Sequence, residues 1–150
     1  MGRLWQFLTK GADAAPRSIL LIRLAVGLIF LTQGILKYID PNMGVNRFAR
    51  IGIPQPWFTA HFVGTLEVIC GALVLLGLLT RLAVVPLLAV IGTAIATTKI
   101  PELLRPAQGF WFMVSDARAD FAMLCGLLFL LLCGPGRLAL DSRRAGGGKS

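Results

Sequence analysis

Four long apolar runs, at residues 18–38, 57–79, 82–100 and 116–134, constrain this chain more than any motif does. A helix needs about 20 mostly apolar residues to cross a ~30 Å hydrocarbon layer, and each run comes close to that length. With 56% hydrophobic residues and a mean hydropathy of +0.76, the composition is not that of a soluble core. The expected fold class is all-α: an integral membrane four-helix bundle over residues 18–141, with a tail at 1–17 and a flexible, solvated tail at 142–150. The first run is too long for a signal peptide and no small-residue cleavage site follows it, so it reads as an uncleaved anchor.

Four crossings put both termini on one side of the membrane. Short cytoplasmic loops are enriched in Lys and Arg. Eight of these residues, including Arg3, Arg17, Arg81 and Arg144, fall on the side of the termini, against six on the other, where Asp40, Glu102, Asp116 and Asp120 dilute them. Both termini are therefore expected in the cytoplasm. The formal charge of +8 then reflects topology and contact with anionic membrane lipids. No basic stripe with interleaved aromatics is present, so no nucleic-acid partner is expected.

The outer loops are the longer ones. In NRFARIGIPQP, Phe48 and Ile51 stand three apart with Arg47 and Arg50 beside them, the pattern of a short helix on the membrane surface, ended by Pro54 and Pro56. In the loop at 101–115, Phe110, Trp111 and Phe112 fit an interfacial aromatic belt, with a cap over an outward-facing pocket as the alternative. Asp116 reads as the N-cap of the fourth helix and Asp120 as a first-turn acid. Cys70, Cys125 and Cys133 lie in apolar segments without a CxxC pair and read as small buried residues. His61, the sole histidine, cannot supply both axial ligands of a haem, and no metal site is expected. The GGGKS end lacks the first glycine of a phosphate loop, where Arg143 stands instead.

The first helix is the most informative. Arg23, Gly27, Phe30, Gly34 and Lys37 follow steps of four, three, four and three, which gathers them on one helical face. A charge at the bilayer centre costs about 2.5 to 3.5 kcal/mol even on the gentler insertion scale, so this face turns inward. On the second helix Glu67 shares a face with Gly64 and Gly71. Measured from the expected helix ends, Arg23 and Glu67 differ in depth by only about 6 Å, and Lys37 sits near the outer interface, free to snorkel toward water. The expectation is an Arg23–Glu67 ion pair across a glycine-lined contact between antiparallel helices.

The order Arg23, Gly27, Phe30, Gly34, Lys37, then FARIGIP, Glu67 with Gly71 and Gly77, LTR at 79–81 and GPGRLALD at 134–141 resembles the DoxX family over about 18–141. The resemblance implies a four-helix protein of the bacterial inner membrane. The family takes its name from a subunit associated with terminal quinol oxidase and thiosulfate:quinone oxidoreductase activity. The third helix is the least diagnostic part, its outer end reading GTAIATTK with no histidine for a proton relay.

Two classes of function stay open. In one, the chain is a subunit of a quinone-linked oxidoreductase and takes electrons from a partner subunit, since no haem, flavin or iron–sulfur motif is visible. Quinone is then the expected cofactor, bordered by small residues including Gly92, Thr93, Ala96 and Thr97. Glu67 is the candidate proton donor and acceptor, Arg23 its ion-pair partner, and Lys37, Asp120, Gly71, Thr93 and Thr97 the candidate ligand-binding residues. In the other, the chain is a non-enzymatic membrane scaffold or assembly factor, and the buried charges only fix helix register. A channel is a third, weaker reading, because four helices make a narrow pore unless the chain forms a homo-oligomer.

Overall fold

A computed structural model describes residues 17–103, 109–136 and 138–141, and within them all regular structure is helical. The readings made for the two tails, for Arg105 and for Arg137 lie outside the described residues. The elements are α1 (Ile19–Ile39), α2 (Val45–Arg50), α3 (Pro56–Leu76), α4 (Thr80–Ala94), a π-helical turn (Ile95–Lys99), α5 (Ile100–Leu103) and α6 (Gly109–Cys133).

Among the described residues, three helical stretches are long and apolar enough to cross a membrane: Ile19–Ile39, Pro56–Leu76 and Thr80–Lys99. The third of these is α4 running on through the π turn. The fourth expected span differs. Its helix begins at Gly109 rather than at 116, and Asp116, Arg118 and Asp120 stand inside it, leaving an uncharged stretch from Phe121 to Cys133. Asp116 is therefore not an N-cap. No proline or glycine follows Gly109 to break the aromatic run, so the helix extends through it.

The dominant contact is between α1 and α3. Gly27 lies against Gly71 and Gly34 against Gly64, and rising numbers on one helix meet falling numbers on the other, so the pair is antiparallel. The approach is close enough to need glycine. A Cβ at position 34 would stand 2.8 Å from the Gly64 carbonyl oxygen, and one at 71 would stand 2.8 Å from the Leu31 nitrogen. As expected, Arg23, Gly27, Phe30 and Gly34 are all buried, and so are Gly64, Glu67 and Gly71 on α3.

The second pairing is α4 with α6, and α3–α4 and α1–α6 contacts close the bundle. Its apolar core is gathered toward one end, from Ile19, Val26, Cys70, Val74, Val84 and Leu127 among others. This is the end at which α1 starts, α3 stops and α4 starts, the cytoplasmic end in the topology read from the sequence. A polar clasp holds it. The Arg23 guanidinium donates to the carbonyls of Val74 (3.0 Å), Leu75 (2.7 Å) and Pro135 (3.1 Å). Gly77, at φ +70°, ends α3, and a Cβ there would lie 2.5 Å from an Arg23 nitrogen. Asp141 accepts from the amides of Leu79 (2.9 Å) and Thr80 (3.3 Å), groups that the start of α4 leaves without helical partners.

At the other end α2 covers the bundle. Phe48 is buried against it, so one face of α2 packs onto the protein. The helix ends ahead of the prolines, at Gly52 with φ +79°, and Pro56 instead opens α3, where a missing amide proton costs nothing. Of the cysteines only Cys70 is buried; Cys125 and Cys133 face outward from α6.

Candidate functional site

In the half away from the Arg23 clasp, the α1–α3 and α4–α6 pairs part around a cavity of about 610 Å³. Its walls are largely apolar, with Phe30, Phe48, Phe62, Leu66, Ile91 and Met123 among them. Into these walls are set two groups of charges.

The first is Lys37 of α1 with Glu67 of α3. The Lys37 ammonium donates to Glu67 Oε2 and lies 3.5 Å from the Gln33 carbonyl. Both side chains are nearly out of solvent, at 12% and 5% exposure. Glu67 Oε1 has no hydrogen-bond partner among the described residues, and the residue lines the cavity. The carboxylate is thus anchored through one oxygen and open through the other.

The second group joins the π turn to α6. Lys99, buried, donates to Asp116 Oδ2 and has Asp120 Oδ2 at 3.7 Å. The two aspartates are four apart and share one face of α6. Hydrogen bonds that reach five residues along the chain make a π segment wider than an α-helix and shift the phase of the residues beyond it, a distortion frequent at functional sites. Here it ends on Lys99.

The expected Arg23–Glu67 pair is not formed. The glycine contacts set the register of α1 on α3 and put Glu67 level with residues 31–35 of α1. Arg23 is eight or more residues below that level, at least about 12 Å along the axis, whereas Lys37 is within about 9 Å above it. Arg23 serves the inner clasp, and Lys37, rather than snorkelling to water, reaches inward to Glu67.

Of the expected ligand-binding residues, Lys37, Asp120, Thr93 and Thr97 line the cavity, as does Glu67. Gly71 does not: it is part of the α1–α3 seam. Thr93 and Thr97 donate their hydroxyl protons back to Ala89 and Thr93, so they offer the cavity only lone pairs and methyl groups. Gly92 and Ala96 are exposed and stand apart from the lining. Gln33, Arg47, Lys99 and Asp116 belong to the lining without having been singled out for it. The signal for Lys99 is present in the sequence, because a lysine closing an apolar span needs a counter-charge and Asp116 and Asp120 open the next one.

The family model described as DoxX matches residues 18–100. The chain belongs to the DoxX family. Within that match fall both glycine pairs, Arg23, Lys37, Glu67 and Lys99, while α6 with its two aspartates lies beyond it. Three relatives of this DoxX protein extend the likeness further along the chain. "Uncharacterized membrane protein Rv3486" of Mycobacterium tuberculosis is 52% identical over 134 residues, covering 85% of this chain and 82% of that protein. "Inner membrane protein YphA" of Escherichia coli is 34% identical over 136 residues, covering 87% and 92%. "Putative oxidoreductase CatD" of Bacillus subtilis is 34% identical over 122 residues, covering 81% and 83%. No solved structure matches this DoxX chain.

Proposed function

We propose that this DoxX-family protein is the ligand-holding membrane subunit of a quinone-linked redox system in the bacterial inner membrane. The single observation that carries the reading is Glu67, buried in an apolar cavity, tied to Lys37 through Oε2 and open through Oε1. Pockets of several hundred Å³ with apolar walls and a few placed polar groups are the usual form of small-molecule sites, and a lipophilic ring with polar oxygens fits that description. The name of the Bacillus subtilis relative supports redox chemistry.

The chemistry that a quinone would supply in this cavity is reduction to the quinol, which requires two electrons and two protons. Glu67, protonated at the open Oε1, would give up that proton when quinone is bound, and the Lys37 ammonium on Oε2 would stabilise the carboxylate that remains. Lys99 with Asp116 and Asp120 keeps a polar lining from Glu67 toward the outer end, by which the proton is replaced. Electrons come from a partner subunit. The chain crosses the membrane four times, α6 included, with both termini in the cytoplasm; the Lys and Arg distribution and the packing of α6 along α4 and α1 support this topology.

The test is quinone-dependent turnover in membranes containing Glu67→Gln. The amide still accepts from Lys37, so the bundle stays folded and turnover falls about 100-fold or more, the usual scale for a lost proton-transfer group. Unchanged turnover in a folded variant removes Glu67 from the chemistry. A scaffold or assembly role is the second reading, and Arg23 favours it: in this same chain a buried charge is used wholly to join α1, α3 and the C-terminal segment.

A further inference from the structure

The cavity does not end at its charged pairs. A second hollow of about 410 Å³, more open than the first, is lined by Asn42, Arg47, Arg50, Thr97, Thr98 and Pro101 among others. Met43, Arg47, Ile51, Thr97 and Thr98 line both spaces, so the second is the mouth of the first. No carboxylate lines this mouth among the described residues.

The acids that line the cavity among the described residues are already engaged. Glu67, which lies in Coulombic range of Arg47, is held by Lys37, and Asp116 and Asp120 face Lys99. Arg47 itself is half-buried, and its guanidinium makes no hydrogen bond or ion pair among the described residues. Arg50 has only a long 3.4 Å contact with the Asn42 carbonyl. A guanidinium presents five donors in a flat fork suited to phosphate and carboxylate oxygens, and one partly withdrawn from water gains most from such an acceptor. The helix that carries both arginines is fixed in place by Phe48, which turns inward from the same turn.

We infer that the mouth formed by Arg47 and Arg50 is an anion-binding site, and that the ligand it takes is an anionic amphiphile with its phosphate or carboxylate group on the arginines and its apolar part in the cavity behind. The continuity of the two spaces gives this ligand its shape: charge at the outer, watery end and hydrocarbon among Phe30, Phe62 and Ile91. The inference does not depend on quinone chemistry, and the amphiphile's apolar part and a quinone would compete for the one cavity. The same phosphate chemistry is available from a lipid headgroup or from free phosphate.

Native mass spectrometry of the full-length protein in detergent distinguishes them, using phosphatidylglycerol and phosphatidylcholine with identical acyl chains, together with thermal melts in inorganic phosphate. The expected result is a preference for phosphatidylglycerol of roughly 10- to 30-fold, the scale of two cationic side chains near a membrane surface. That preference disappears in R47Q/R50Q and persists in R47K/R50K. If instead phosphate raises the melting temperature of the wild type but not of R47Q/R50Q, with no lipid preference, the site is an anion site for a free ligand and the amphiphile is overturned. A lipid preference unchanged in folded R47Q/R50Q, or no response to either anion, overturns the site altogether. Should R47Q/R50Q fail to fold, the wild-type comparison decides: equal retention of the two lipids and no phosphate effect rejects it.

Discussion

Lys37 meets Glu67 from the C-terminal end of α1, and so pairs the one carboxyl buried among the described residues with a cation of the neighbouring helix. Neither charge has a comparable substitute, although Arg47 contributes a weaker field at Glu67. Removing one partner of a buried pair leaves the other uncompensated, at a cost of about 3 to 5 kcal/mol. Lys37→Met should therefore destabilise the protein by that order in detergent unfolding. The double variant K37M/E67L should recover most of the loss, because apolar replacement of both partners of a buried pair is often near neutral. A double-mutant cycle with no coupling between the two sites would show the pair to be without weight.

The seam makes a sharper prediction about size than about charge. Gly34→Ala adds a Cβ 2.8 Å from the Gly64 carbonyl oxygen, with backbone on both sides and little room to give. Overpacking of this kind costs about 1 to 3 kcal/mol. Gly92→Ala is the control, since a Cβ there meets nothing within 4 Å. It should be neutral or slightly stabilising in the same melts, as expected for Gly replaced by Ala in an open helix position.

Arg23 should act on assembly and leave the cavity alone. Its three carbonyl acceptors bind α1 to the end of α3 and to Pro135, and it does not line the cavity. Arg23→Ala removes three hydrogen bonds from a charged donor, although the Val74 carbonyl keeps the Gly77 amide, and should cost about 3 kcal/mol or more, hydrogen bonds to charged groups being worth about 1.5 to 3 kcal/mol each. Arg23→Lys should fall between, as an ammonium cannot reproduce the fork. In whatever fraction stays folded, ligand retention measured by native mass spectrometry should match the wild type.

Topology can be read by cysteine labelling. With Cys70, Cys125 and Cys133 replaced, a cysteine at the exposed position Asn46 should react with an impermeant maleimide added to intact cells. One at Leu140, exposed beside the inner clasp, should react only after the cells are permeabilised. The reverse pattern would invert the proposed orientation.

Much of the site is legible in the sequence. Period 3.6 alone gathers Arg23, Gly27, Phe30 and Gly34 on one face and Gly64, Glu67 and Gly71 on another, and hydrocarbon leaves such faces one direction to point. Depth measured from helix ends gives Glu67 the wrong partner, because contact register is set by where two backbones can touch. The glycines carry that register: 27 and 34 are seven apart, 64 and 71 are seven apart, and matching them antiparallel brings Lys37 nearer to Glu67 than Arg23. The π turn leaves no trace in the sequence, because Ile95–Lys99 satisfies α-helical periodicity equally well. Asp116 resembles a cap because aspartate is common there, and a helix already under way through Phe110 and Trp111 removes the need for one.

The inner clasp has an implication for how the molecule is made. Two of the Arg23 acceptors, the carbonyls of Val74 and Leu75, exist once the second long helix has entered the bilayer, but the third belongs to Pro135, and Asp141 reaches the amides of Leu79 and Thr80 from six residues further on. Until residues 135–141 have been made and have packed, the cation of the first helix is incompletely solvated by protein and the start of α4 is uncapped. A nascent chain halted before residue 135 therefore leaves the Arg23 fork one acceptor short and the first amides of α4 open.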